Sequence, residues 1–210
     1  MVVPYVQGVQ QNGVAACVKH YALNNQEVNR HTTNVIVDDR ALYEIYLPAF
    51  KAAVQEGKAW SIMGAYNLYK GQHACHNQYL LNDILKGEWG FDGIVVSDWA
   101  SVAEMMAHGF AADSKEAAMK AVNAGVDMEM VSYTFVKELP ELIKEGKVKK
   151  SAIDDAVRNI LRIKFRLGLF DNPYVDEKRI EELYAPSHLE AAKQAAVESV
   201  ILLKNEKETL

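Results

Sequence analysis

Asp98 ends the most apolar run of the sequence and stands directly before Trp99. The run covers residues 93–97 and has the composition of a fully buried strand. A buried strand that ends in a carboxylate and an indole is typical of parallel α/β enzymes, where the carboxyl ends of strands carry the reacting groups. An aspartate in this position can equally cap the next helix. The local pattern therefore leaves both a catalytic and a capping role open.

Polar and aromatic side chains also follow two other apolar runs. Lys19 and His20 come directly after one run, and Tyr66 comes directly after another. Because parallel strands end at the same edge of a sheet, we expect these side chains to lie near Asp98. Charged groups that bind hydroxyls beside an indole face suit a pocket for a polyhydroxylated ligand. Each residue alone has a simpler explanation, a solvated charge or a packed ring, but their recurrence at successive strand ends predicts a binding site.

The apolar runs alternate with helical patterns. The runs predicted as strands are residues 14–18, 61–65, 93–97 and 125–130. Apolar spacing of three and four residues predicts helices that include residues 101–108, 134–145, 151–167 and 187–198. Strands that alternate with helices indicate a parallel sheet and an α/β fold.

Helix-capping residues support the predicted boundaries. Asp113 and Glu116 have the spacing of a capping box, and Ser151 and Asp154 have the same spacing before the next long helix. Gly168 stands where a helix C-terminus requires a left-handed residue.

The four predicted strands are half of an eight-stranded barrel. We expect a partial barrel domain over residues 1–170, a linker and helix over 171–198, and the first strand of a second domain over 199–210, carried by the apolar residues 200–203. Four parallel strands alone leave open edges. The sequence therefore looks cut at both ends, and two copies could close a barrel as a homodimer through those edges.

Composition limits the function classes. The net charge of −5 argues against a broadly basic nucleic-acid surface, and no apolar run approaches the roughly 20 residues that cross a bilayer. We therefore expect neither nucleic acid nor a membrane as partner. Cys17 and Cys75 form no CxxC motif and are better explained as free thiols than as metal ligands. Free thiols favour a reducing compartment such as the cytoplasm, although the location otherwise stays open.

Several motifs closely resemble glycoside hydrolase family 3, in its β-glucosidase branch. The resemblance covers nearly the whole chain, and the Gly-Phe-Asp-Gly to Ser-Asp-Trp stretch is long and specific. The matching segments are residues 16–21, 24–27 with Arg30, 38–48, 63–67, 87–99, 124–128 and 202–205. The resemblance implies a (β/α)8 barrel of the TIM type, of which this chain holds about the last four βα units.

The resemblance also implies a role for each site residue. Asp98 looks like the nucleophile of a retaining β-glucosidase, which forms a glycosyl-enzyme ester. Lys19 and His20 match a pair that holds sugar hydroxyls, and Arg30 matches a further sugar-binding arginine. Tyr66 matches a tyrosine near the nucleophile that can donate to its carboxylate, and Trp99 matches an indole lining the glucose pocket. Asp127 and Glu129 are interpreted as structural residues of the fourth strand's tip.

The implied site lacks its general acid. In this family the acid/base is a glutamate of the second domain, and retaining hydrolysis needs two carboxylates roughly 5–5.5 Å apart. Glu27, Glu88 and Glu129 do not stand where the family pattern puts that acid. We therefore expect this chain to be weak or inactive alone on its implied substrate, a β-glucoside or cello-oligosaccharide.

Two alternatives stay open. One is a non-catalytic half-barrel that self-associates, and the other is a β-xylosidase or α-arabinofuranosidase of the same family. The absence of a second Gly-His-Gly type segment argues against the N-acetylglucosaminidase branch. The hydrolysis calls for two carboxyl groups and water and for no metal or organic cofactor.

Overall fold

The computed structural model describes residues 1–206. Two compact units are present, Met1–Asp171 and Asn172–Leu210. The strands are β1 Cys17–Tyr21, β2 Asn34–Val35, β3 Ser61–Gly64, β4 Leu68–Tyr69, β5 Gln72–His73, β6 Ile94–Trp99 and β7 Met128–Met130. The α-helices are α1 Val2–Gln11, α2 Asp39–Ala41, α3 Pro48–Gln55, α4 Ser101–Ala107, α5 Ser114–Asn123, α6 Thr134–Lys144, α7 Lys150–Arg166 and α8 Pro186–Ser199. π-Helical segments cover Leu42–Tyr46 and Tyr79–Glu88, and 3₁₀ turns cover Ala74–His76 and Glu177–Glu182.

The first unit is built on a four-stranded parallel sheet in the order β1-β3-β6-β7. Val95 of β6 is in register with Ile62 of β3, and Val96 is in register with Met128 of β7. The four strands follow one another across the sheet in chain order, with helical segments between them. The predicted α/β class with a parallel sheet is confirmed.

The first strand lies three residues later than predicted. β1 covers Cys17–Tyr21, so Lys19 and His20 lie within the strand and not after it. Pairing decides this position, because Cys17 is opposite Ser61 of β3. Along β1 exposed and partly buried side chains precede the buried Tyr21, a pattern that an apolar run cannot locate.

Helices cover the sheet and form the core with it. The π-helical segment Tyr79–Glu88 buries Leu80, Leu81, Ile84 and Leu85, its apolar positions three and four residues apart. The Tyr21 hydroxyl donates to the Leu80 carbonyl over 2.9 Å, which joins β1 to this segment.

A small second sheet, β2-β4-β5, was not predicted. Its antiparallel strands β4 and β5 are joined by Lys70 and Gly71, both with positive φ, as a two-residue hairpin requires. Each strand has only two residues, which is too short for a recognisable alternation.

The capping predictions were half correct. Asp113 accepts a hydrogen bond from the Glu116 amide, and Glu116 accepts one from the Ala112 amide. Gly168 has the expected positive φ after α7. The Ser151 and Asp154 prediction is wrong: α7 starts at Lys150, and Asp154 pairs with the Lys150 ammonium group instead.

The second unit contains the turn Glu177–Glu182 and α8. The strand predicted for residues 200–203 is absent from the structure, and the side chains there are exposed. No strand of the described residues 1–206 pairs with them, and an apolar run without a pairing partner does not form a strand. Residues 207–210 of the predicted segment lie outside the described part of the chain. None of the helices described is both long and apolar enough to cross a bilayer.

Candidate active site

Asp98 lies in β6, one residue before its carboxyl end, with 12% of its side chain exposed. Its Oδ1 accepts a hydrogen bond of 2.6 Å from the Trp99 amide. Its Oδ2 lies 3.4 Å from Nε2 of His20, which belongs to β1 at the far side of β3. One carboxylate oxygen is therefore held by the backbone, and the other faces an imidazole.

His20 is partly buried beside this carboxylate. Burial lowers the pKa of His20, and the charges of Lys19 and Arg30 act in the same direction, whereas the Asp98 carboxylate raises it. Because the net shift is downward from 6.5, the neutral imidazole predominates at pH 7. A cis peptide bond joins Lys19 to His20, and the Lys19 side chain is exposed.

Tyr66 lies just beyond β3, where it is 6% exposed. Its hydroxyl donates a 2.6 Å hydrogen bond to the Trp99 carbonyl. The Asp98 carboxylate, which the resemblance implied as acceptor, also interacts with this hydroxyl. Burial, followed by the Asp98 charge, raises the pKa of Tyr66, so the hydroxyl stays protonated. The hydrogen bond from Tyr66 to the Trp99 carbonyl fixes the backbone directly after the Asp98 carboxylate.

Arg30 and Trp99 lie at the edge of this group. The Arg30 guanidinium lies over the Tyr66 ring, 4.7 Å from its centroid, and is paired with Glu27 over 3.0 Å. The Trp99 indole is 61% exposed and offers an open aromatic face. The structure thus groups Asp98, His20, Tyr66, Trp99 and Arg30, with Lys19 exposed next to His20.

The glutamates considered as substitute acids have other partners. Glu27 binds Arg30, and Glu88 lies 3.6 Å from the Lys51 ammonium group. Glu129 accepts hydrogen bonds from the Thr134 hydroxyl and the Phe135 amide at the start of α6. None of these contacts involves Asp98.

Asp127 does not lie at the strand tip. It precedes β7 and accepts a hydrogen bond from the Val95 amide, three residues before Asp98 along β6. Its carboxylate also contacts the Lys86 ammonium group at 3.2 Å and the Asn159 amide at 3.1 Å. Burial raises the pKa of Asp127, against the opposing effect of Lys86. The residue therefore joins the sheet to α7 away from the candidate site.

The sequence did not indicate two further residues near the site, His31 and Glu104. The His31 ring lies 4.5 Å from the Tyr66 ring, and Glu104 of α4 lies 3.5 Å from His31. The only sequence signal was that Glu104 and His108 stand four residues apart, on one face of the predicted helix.

The parallel α/β sheet, with a carboxylate at the carboxyl end of a central strand, has the architecture of part of a (β/α) barrel hydrolase. Residues 1–163 match the family description "Glycosyl hydrolase family 3 N terminal domain". The chain therefore belongs to glycosyl hydrolase family 3, as the sequence motifs indicated.

Its relatives include proteins named β-glucosidases. Beta-glucosidase BoGH3A of Bacteroides ovatus is 48% identical over 97% of this chain. A β-glucosidase of Listeria innocua, solved with glucose, is 39% identical over 98% of this chain with a TM-score of 0.89. A mutant of the Listeria protein was solved with laminaribiose. A putative β-xylosidase of Formosa agariphila is 37% identical over the whole chain.

The chain spans under a third of these proteins. It covers 27% of the Bacteroides protein, 29% of the Formosa protein and 30% of the Listeria chain. The solved β-glucosidases that resemble this chain have a TIM-barrel domain, and this chain corresponds to part of such a domain.

Proposed function

We propose that this chain is part of a retaining β-glucosidase and that Asp98 is its nucleophile. The observation that carries the proposal is the Asp98 carboxylate at the end of β6, with Oδ2 directed at His20. Oδ1 is occupied by the Trp99 amide, so Oδ2 is the oxygen available to attack. Its attack on the anomeric carbon forms a glycosyl ester while the bond to the leaving group breaks, and water then hydrolyses the ester.

The neighbouring residues have binding roles in this proposal. His20 and Lys19 hydrogen-bond sugar hydroxyls, and Arg30 binds vicinal oxygens with its planar fork. The exposed Trp99 face packs on the C–H surface of the sugar. Tyr66 acts on the site by fixing the Trp99 carbonyl.

The leaving group of an ordinary glucoside needs a proton from a general acid. Glu27, Glu88 and Glu129 are engaged elsewhere, and Glu104 faces His31 and not Asp98. We therefore propose that the acid comes from outside these 210 residues. The chain alone is then a poor catalyst for unactivated glucosides.

A mechanism-based label tests the nucleophile without the acid. A 2-deoxy-2-fluoro-β-glucoside with a dinitrophenolate leaving group needs no proton donor, and its fluorine slows hydrolysis of the ester. We expect mass spectrometry of the treated chain to find the sugar on the peptide that contains Asp98. Asp98→Asn should lose the label, and the exposed Asp83→Asn should keep it.

Two results would contradict the proposal. A label on another residue, or an equal label in Asp98→Asn, would exclude Asp98 as the nucleophile. Rapid hydrolysis of an unactivated substrate such as cellobiose by the chain alone, lost in Asp98→Ala, would exclude the need for an external acid.

The putative β-xylosidase relative supports a second candidate, a β-xylosidase of the same family. Labelling with the corresponding 2-deoxy-2-fluoro-β-xyloside, at the same concentration as the glucoside, separates the β-xylosidase candidate from the β-glucosidase candidate. Faster labelling by the xyloside than by the glucoside would favour the second candidate.

A further inference from the structure

Three metal-ligand atoms from separate parts of the chain converge beside Tyr66. His31, Glu104 and His108 each offer one such atom, and the three atoms lie within 4.8 Å of one another. His31 lies between β1 and β2, whereas Glu104 lies on α4 and His108 directly follows it. The group therefore joins a loop to a helix.

Each of the three residues also has a side-chain atom that is shielded from solvent and lacks a hydrogen-bond partner, namely His31 Nδ1, Glu104 Oε2 and His108 Nε2. The contact between His31 Nδ1 and Glu104 Oε2 is 3.5 Å, longer than an ordinary hydrogen bond. A buried polar atom without a partner costs about 1–3 kcal/mol, so such atoms in native proteins usually have one. Three such atoms in neighbouring side chains indicate a shared ligand.

The donor set identifies the class of ligand. Two imidazole nitrogens and one carboxylate oxygen form a set that zinc sites use, with a fourth position left open. In a tetrahedral zinc site with bonds of about 2.1 Å, the donor atoms are about 3.4 Å apart. The observed 3.5 Å between the His31 and Glu104 atoms matches this spacing.

The two imidazole rings of this group also stack on each other. His31 and His108 are stacked, with centroids 5.3 Å apart and ring planes 17° apart. His31 also contacts the Tyr66 ring edge to face, with centroids 4.5 Å apart, and the Arg30 guanidinium lies over that Tyr66 ring. A cation here would therefore tie the loop that carries Arg30 to the helix that follows Asp98.

We propose that His31, Glu104 and His108 bind one divalent cation of the zinc type, which fastens the loop of residues 24–33 to α4. The cation has a structural role and takes no part in glycoside hydrolysis. The proposal rests on the three donor atoms and stands independently of the proposed glucosidase activity.

Metal titration of the full chain tests the site. After chelator treatment, Zn²⁺ is added in competition with a chromophoric chelator, and Co²⁺ is added separately to follow its visible absorption. We expect one Zn²⁺ per chain. His31→Gln, Glu104→Gln and His108→Gln should each weaken binding at least tenfold, whereas His188→Gln, at an exposed position in the second unit, should leave it unchanged.

Amide hydrogen exchange provides a second measurement. Zn²⁺ should slow exchange in residues 24–33 of the unsubstituted chain and have no such effect in Glu104→Gln. If the histidine variants do not fold, Co²⁺ added to the unsubstituted chain should broaden the imidazole resonances of His31 and His108 most strongly.

Several results would overturn the proposal. One is the absence of saturable Zn²⁺ binding, and another is binding that survives all three substitutions. Equal weakening by His188→Gln, or Co²⁺ broadening centred on His20 or His188, would assign the binding to other histidines.

Discussion

The two oxygens of the Asp98 carboxylate have different surroundings. Oδ1 accepts a short hydrogen bond from the next amide, and Oδ2 has the His20 imidazole at 3.4 Å. The Asp98–Trp99 backbone is fixed in turn, because the Trp99 carbonyl accepts from the Tyr66 hydroxyl. At the residue scale, the backbone therefore holds Oδ1 of Asp98 and leaves Oδ2 facing His20.

Trp99 tests the proposed sugar pocket at the residue scale. We expect Trp99→Ala to weaken glucose binding about tenfold, or about 1.4 kcal/mol, because the exposed indole face is lost. Trp99→Phe should retain part of the affinity. Calorimetric titration of the full chain with glucose measures both.

Tyr174→Ala is the matched control, since this exposed aromatic residue lies in the second unit. Unchanged affinity in Trp99→Ala would show that the indole does not contact the sugar.

At the scale of elements, the carboxyl end of β6 is joined to the carboxyl end of β7. Ala100 has φ +54, and its amide donates to the Met130 carbonyl over 3.0 Å. The Ser97 hydroxyl accepts a hydrogen bond of 2.8 Å from the Met130 amide. These bonds hold the turn between β6 and α4 in a left-handed conformation that costs an alanine about 1–2 kcal/mol.

Gly64 of β3, two residues before Tyr66, allows the strand to pack closely against Cys75. A Cβ at this position would lie 2.5 Å from the Cys75 Cβ and 2.6 Å from its Cα. We expect Gly64→Ala to lower the free energy of unfolding by about 1–3 kcal/mol, because backbone must move to admit the methyl group. Urea unfolding measures the change.

Gly8 of α1 provides the opposite case. A Cβ there has nothing within 4 Å, so Gly8→Ala should raise the free energy of unfolding by up to about 1 kcal/mol. A Gly64→Ala variant as stable as the unsubstituted chain would refute the close approach of β3 to Cys75.

At the scale of the whole molecule, buried histidines link stability to pH. His76 is 4% exposed, and its Nε2 lies 3.2 Å from the Ser101 carbonyl. Burial lowers the pKa of His76 to about 3 and also lowers the pKa of His73. The folded chain therefore keeps both rings neutral where the unfolded chain, with a histidine pKa of about 6.5, takes up protons.

This difference sets the sign of the pH dependence. Below pH 6.5 the unfolded state binds more protons, so the free energy of unfolding falls as the pH falls, by up to about 1.4 kcal/mol per pH unit for His76. We expect His76→Gln to reduce this slope between pH 7 and pH 4, and exposed His188→Gln to leave it unchanged. Urea unfolding at several pH values measures this slope. A slope in His76→Gln equal to that of the unsubstituted chain would contradict the prediction.

The sheet edges lead to a prediction about assembly. Among residues 1–206, β1 pairs only with β3, and β7 pairs only with β6. We propose that the chain alone self-associates through these edges, since unpaired strands bind one another. Size-exclusion chromatography with light scattering should show a dimer, and Met128→Lys on β7 should shift it towards monomer. A stable monomer of the unsubstituted chain at about 100 μM would exclude the proposal.

The sequence by itself determined the features that depend on neighbours along the chain. Apolar runs and helical spacing predicted the parallel α/β order, and the short-range rules of capping predicted Asp113 and Gly168. The motif around Asp98 identified the family. Short-range patterns failed where long-range pairing decides, as in the position of β1 and the missing strand at residues 200–203.

Only the tertiary structure decided which side chains meet. His20 reaches Asp98 across an intervening strand, and the Tyr66 hydroxyl donates to the Trp99 carbonyl. His31 joins Glu104 and His108 only because the loop after β1 returns to α4. The physical reason is the same in each case: these contacts depend on strand register and on the path of a loop, which are fixed by packing across the whole unit and are not encoded in the local pattern of residues.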